Sequence, residues 1–79
     1  MTRQDILGLI ARHTGEVLPR LHDHAFQPTD SLKELGANSV DRSEIIMMTL
    51  ESLAVRIPLI DMAKAKNIGE LADIIHAKC

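Results

Sequence analysis

Pro19, Pro28 and Pro58 punctuate this chain, and between them the apolar residues recur at helical rather than strand spacing. Proline lacks a backbone N–H and pushes the residue before it out of α conformation, so each one marks a kink or a stop. Ahead of Pro19, the residues Ile6, Ile10, Val17 and Leu21 follow a helical period, widened by Leu7, Leu9 and Leu18, with Thr2 and Asp5 placed as a capping pair. This first helix is expected to end between Leu18 and His22, with a possible further turn through Leu21. A second runs from Ser39 or Val40 to about Val55, stopped by Pro58. Leu59 to Lys64 form a short third helix, apolar at Leu59, Ile60 and Met62, with Lys64 and Lys66 near its negative end. Asn67 caps a fourth, Glu70 completes a capping box, and Ile68, Leu71, Ala72 and Ile75 make its buried stripe. Gly69 weakens that helix by ~1 kcal/mol relative to alanine. No segment alternates strictly. The fold class is all-α, a small four-helix bundle with three longer helices, one short helix and a long loop between helices 1 and 2. Residues 1–79 form a single domain.

At 79 residues the chain is close to the smallest size that holds a core without staples, and its one cysteine excludes an internal disulfide. Cys79 reads as a free thiol on a frayed end. No signal-like or membrane-spanning run is present, so the protein is expected to be soluble, cytoplasmic and monomeric, with no membrane partner. A net charge of −2, no Trp, no Tyr and Phe26 as the single aromatic argue against nucleic acid. His22-Asp23-His24 offers metal-ligand chemistry, but histidines one residue apart in a loop do not complete a site. No metal is expected.

The loop from Asp23 to Asn38 is long for a small domain, and such loops often serve a function. Phe26, Leu32 and Leu35 are expected to pin it to the core, with Asp30 starting a turn over Ser31 to Leu35. It leads into Gly36-Ala37-Asn38-Ser39-Val40-Asp41, where Gly36 permits a sharp turn and Ser39 stands where the second helix begins. A helix start presents unpaired N–H groups and a positive dipole, so a phosphate on Ser39 would be stabilised there. The competing reading makes Asn38 or Ser39 simply the N-cap.

On a helical wheel, Ile46, Leu50 and Leu53 of the second helix form the core side, while Val40, Glu44, Met47 and Glu51 fall on another. The second set is either a solvated face or a docking surface, with acids for steering and aliphatic side chains for desolvated contact. Asp41 and Met48 lie at its edge. Arg42 points towards the core side and can snorkel.

Leu35-Gly36-Ala37-Asn38-Ser39-Val40-Asp41, followed by a helix running to Ile57-Pro58 about five turns on, closely resembles the acyl carrier proteins of fatty-acid and polyketide synthesis. Their signature is a Leu-Gly-x-Asp-Ser-Leu run with an Ile-Pro pair at this distance. Asn38 stands where that family usually has Asp, and Val40 where it has Leu; neither change removes the acceptor hydroxyl. Asn38-Ser39-Val40-Asp41-Arg42, Glu44-Ile45-Ile46-Met47-Met48 and Lys66-Asn67-Ile68-Gly69-Glu70-Leu71-Ala72-Asp73 resemble more narrowly the freestanding donor carriers of polyketide β-branching cassettes.

The resemblance implies a carrier and not an enzyme, with phosphopantetheine attached to Ser39 and an acyl group held on its thiol as a thioester. It turns the helix-2 face into a docking surface comprising Val40, Asp41, Arg42, Glu44, Met47, Met48 and Glu51. It implies as partners a phosphopantetheinyl transferase, an acyltransferase, a decarboxylating ketosynthase-like enzyme and an HMG-CoA-synthase-like enzyme. The implied cargo is malonyl, decarboxylated to acetyl. Asp30-Ser31-Leu32 matches the family's three residues more literally than Asn38-Ser39-Val40, but Gly36 follows too soon for Ser31 to open a long helix. The alternatives are a carrier for nonribosomal peptide or fatty-acid synthesis and an unmodified helical interaction module. A serine hydrolase would need a histidine and an orienting acid beside Ser39.

Overall fold

The computed structural model describes residues 1–78, so the reading of Cys79 lies outside the described residues. Thr2 and Asp5 make the full capping box, each side chain accepting the other's backbone N–H, and α1 runs Arg3–Val17. Pro19 then opens a 3₁₀ turn over Pro19–Leu21, and Leu21 is buried. After the loop come α2, Ser39–Leu53, the four-residue α3, Leu59–Met62, and α4, Ile68–His76. Among the described residues there is no strand. α1 packs on both α2 and α4, and α3 bridges the other two. Ile6 and Ile10 meet Ile45, Met62, Ile68 and Ile75 in a core whose largest members are fully buried.

Several boundaries and faces differ from the sequence-based expectation. α2 stops at Leu53 rather than Val55, because Ala54 takes a left-handed conformation (φ 53°) and Val55 N–H folds back to Leu50 O at 3.1 Å. That reversal ends the helix before Pro58, which serves instead as the residue before α3. α3 closes at Met62, short of Lys64. The most buried residues of α2 are Ile45 and Thr49 rather than Ile46 and Leu53, which are half-buried. α1 packs along α2 far more extensively than the four-residue α3 does, so the face turned to α1 is covered more completely than the face turned to α3.

Thr14 and Thr49 are fully buried polar residues, satisfied by donating to Ile10 O and Ile45 O of their own helices at 2.6 and 2.8 Å. The α4 capping box is only half made: Asn67 accepts Glu70 N–H, but Glu70 Oε1 takes the N–H of Lys66 instead of Asn67.

The first two N–H groups of α4 are satisfied by the loop, Ile68 donating to Asp30 O at 2.9 Å and Gly69 to Pro28 O at 2.8 Å. These bonds stitch residues 22–38 to the bundle. Phe26 packs on the core and Leu32 is buried, while Leu35 remains half-buried. The turn after Leu32 is initiated by Ser31, whose hydroxyl accepts Glu34 N–H at 3.4 Å; Asp30 uses its carboxylate on Gln27 N–H and His24. Gly36 closes it with φ 96°, and Ala37 N–H returns to Leu32 O across two buried apolar residues, a Schellman closure.

Candidate functional site

The Schellman closure at Gly36 delivers the chain to Asn38, and the local chemistry there decides which residue caps α2. Asn38 Oδ1 accepts Asp41 N–H at 2.8 Å, and Asp41 Oδ2 accepts Asn38 N–H at 3.2 Å. Asn38 is therefore the N-cap. Ser39 becomes the first helical residue, exposed, with a hydroxyl that makes no hydrogen bond among the described residues. The N–H groups of Ser39 and Val40 are the ones the cap leaves open, at the positive end of a 15-residue helix. A phosphodiester oxygen on Ser39 fits this setting, since both donors and dipole favour an anion. Ser31 does not offer the same setting: it is half-buried and its hydroxyl is used within the turn.

From Ser39 along α2, the expected docking residues separate into two groups. Val40 is 70% exposed and Met47 51%, with Glu44 and Glu51 exposed beside them. Asp41 and Met48 are half-buried at the edge, Asp41 partly engaged in the cap. Arg42 lies on a different side, where its guanidinium donates to Ala37 O at 2.8 Å and borders a cleft. Met47 and Glu51 open onto a groove of about 930 Å³ that continues through Ile57 and Pro58 to Leu59. Leu59 and Ile60, 44% and 74% exposed, extend this apolar surface and were not among the sequence-based site residues. The signal for them was the length of α3, since so short a helix buries one side only, here Met62.

Among the described residues no histidine hydrogen-bonds to Ser39. His13 is buried between α1 and α2, Nδ1 3.0 Å from Glu16 Oε1 and Nε2 2.9 Å from Ser52 Oγ. Both ring nitrogens are thus engaged, one by the Glu16 carboxylate and the other by the Ser52 hydroxyl. This Glu-His-Ser set has the order of a catalytic triad, but Ser52 sits in the last turns of α2, where backbone N–H groups are spent within the helix and none forms an oxyanion hole. It ties two helices together. His22 pairs with Asp23 at 3.3 Å, and His24 with Asp30 at 3.0 Å while meeting Phe26 edge-on. Among the described residues no group of three or more His, Cys, Asp or Glu could hold a metal ion, and no helix is long and apolar enough to cross a membrane.

A small helical bundle that presents a capped helix start with an exposed serine beside bare aliphatic and acidic side chains suits a carrier. The chain belongs to the family described as phosphopantetheine attachment site, which matches residues 4–75. It is 50% identical over 78 residues to the polyketide biosynthesis acyl-carrier-protein AcpK of Bacillus subtilis (strain 168), covering 99% of this chain and 95% of that one. It also matches a chain in the crystal structure of the curacin biosynthetic pathway HMG synthase in complex with acetyl donor-ACP, with 52% identity and TM-score 0.94 over 99% of this chain and 100% of that chain. This is an acyl carrier protein, a carrier rather than a catalyst, and its cofactor is covalent phosphopantetheine. The family match spans Ser31 and Ser39 alike.

Proposed function

We propose that Ser39 carries the phosphopantetheine arm and that the protein, one carrier domain over residues 1–79, delivers acetyl groups to an HMG-CoA-synthase-like enzyme of polyketide β-branching. The observation that carries this reading is the free, exposed Ser39 hydroxyl at the first position of α2, one helical turn from Asp41 and Arg42 and flanked by the bare Val40 side chain. A phosphopantetheinyl transferase would direct Ser39 Oγ at the pantetheine-bearing phosphorus of coenzyme A. The serine proton passes to a base, the phosphodiester forms and adenosine 3′,5′-bisphosphate leaves. An acyltransferase then loads malonyl, and a ketosynthase-like decarboxylase converts it to acetyl.

The likeness to AcpK and to the curacin donor complex supports polyketide service over fatty-acid or peptide synthesis. The face of Val40, Glu44, Met47 and Glu51, with Asp41 and Met48 at its borders, suits docking because exposed aliphatic groups lie beside acids. A cytoplasmic location accords with the coenzyme A that the transferase would use.

Intact mass after incubation with coenzyme A, magnesium and a broad-specificity transferase tests the assignment. One phosphopantetheine should add to the wild type, to Ser31→Ala and to Cys79→Ala, and not to Ser39→Ala. Retention of the gain in Ser39→Ala would move the arm elsewhere.

A further inference from the structure

We propose that Arg20 is a positioning residue for attachment of the arm: from the 3₁₀ turn after α1 it locks the last residues of the loop, so that the transferase meets a serine already held in place. This rests on Ser39 as the attachment point. Only Ala37 and Asn38 separate Gly36 from Ser39, and the backbone on each side of Gly36 is held by an arginine from elsewhere in the bundle. The Arg20 guanidinium donates through Nη2 to Leu35 O, 15 positions along the chain, and Arg42 of α2 donates to Ala37 O at 2.8 Å. Leu35 O accepts no other hydrogen bond among the described residues.

Arg20 also fits against Gly36 itself. Gly36 has φ 96°, and a Cβ built on it would run into Nη2 of Arg20, with Cζ at 3.3 Å. The guanidinium therefore lies over the bare Cα of the residue that turns the chain. Glycine meets two needs here, a positive φ and room for the arginine. Arg20 is exposed and is in no ion pair among the described residues, so the Leu35 carbonyl is what orients it. Its charge makes it a strong donor, and its planar fork keeps one orientation where a lysine would swivel.

Attachment is the step that needs this order. Ser39 Oγ must itself reach the phosphorus of a second molecule, and a misplacement of ~1 Å at such a step can cost ~100-fold. The cap that binds Asn38 to Asp41 holds Ser39 in α2 only while Asn38 stays in place, and the residues before Asn38 decide that. With the 35–38 segment loose, the capped form becomes a fraction of the population. The apparent affinity for the transferase then falls by that fraction, while the rate at saturation stands. Once the arm is attached, a partner meets the thiol at its far end, and the flexible arm absorbs a shift at its root. Arg20 therefore acts on attachment and not on delivery.

The test measures attachment kinetics with coenzyme A and a broad-specificity transferase, read by intact mass, for the wild type, Arg20→Gln and Arg20→Lys, with folds checked by circular dichroism. Arg20→Gln should raise KM for the carrier ~5-fold, the weight of one hydrogen bond, at unchanged kcat. The same increase should persist at high salt, because the bond lost lies within the carrier. Arg20→Lys should recover only part of it. After prolonged incubation has armed Arg20→Gln fully, its acetyl-loaded form should deliver to the partner synthase at the wild-type rate. An unchanged KM, an increase that vanishes at high salt or is fully restored by lysine, or an equal loss in attachment and delivery would each overturn the positioning role and leave Ser39 as the attachment point. A mass gain that survives Ser39→Ala would overturn both together.

Discussion

The N–H of Gly69, in the first turn of α4, donates to the carbonyl of Pro28 at 2.8 Å, and the approach is possible because Gly69 has no side chain. A Cβ built at position 69 would stand 2.8 Å from that same oxygen and 3.1 Å from the Pro28 Cβ. The long loop is thereby seated directly on the helix start.

Gly69→Ala therefore separates local from tertiary effects. Helix propensity alone makes alanine better by ~1 kcal/mol. The contact with Pro28 backbone cannot give way without lifting the loop, and overpacking of this kind costs ~1–3 kcal/mol. Urea unfolding should show a net loss of stability; a gain would mean that the loop does not sit on α4.

Ala54 is the complementary case, a non-glycine residue at φ 53° where α2 ends. Left-handed conformation costs an L-residue ~1–2 kcal/mol, and glycine gives back ~0.5–1 kcal/mol of that through its freer unfolded chain. Ala54→Gly should raise stability by ~0.5–1 kcal/mol, read as a higher urea midpoint at unchanged slope.

Asp30 ties the loop internally, and the Gln27 N–H followed by the His24 ring hold its carboxyl below the usual carboxylate range. A carboxyl lowered in the folded state contributes stability that is fully present above its unfolded value near ~4 and is lost as pH falls through the folded value. Asp30→Asn should thus be less stable than the wild type at pH ~7, with the gap narrowing below pH ~4. A gap of constant size down to pH ~2 would show that ionisation of Asp30 plays no part.

Glu44 and Glu51 are exposed on the face that carries Val40 and Met47. Reversing either to lysine should lower kcat/KM for acyl delivery to the partner synthase by ~10-fold at low salt, less at high salt, because exposed charges act mainly on encounter. Mass should show the acyl load unaffected. Equal delivery rates for wild type and both variants would place the docking face elsewhere.

Much of this protein was legible in its sequence because it depends on residues within one or two turns of each other. Thr2 with Asp5 and Asn38 with Asp41 form reciprocal boxes, and Asn67 accepts from Glu70, each pair three residues apart. The buried stripe Ile68, Leu71, Ala72 and Ile75 follows from periodicity alone. Ser39 at the start of α2 needed only the short motif around it.

The tertiary structure decided what depends on residues distant in the chain. Gly69 reads as a weak helix former until Pro28 is seen against it, and Ile45 outranks Ile46 in burial because α1 lies over that side of α2. His13 meets Ser52 across 39 positions, and Arg42 joins Lys33 and Lys66 around one cleft. Caps and stripes are set by short-range backbone geometry, whereas these pairings exist only once the bundle closes and its helices compete for the same surfaces.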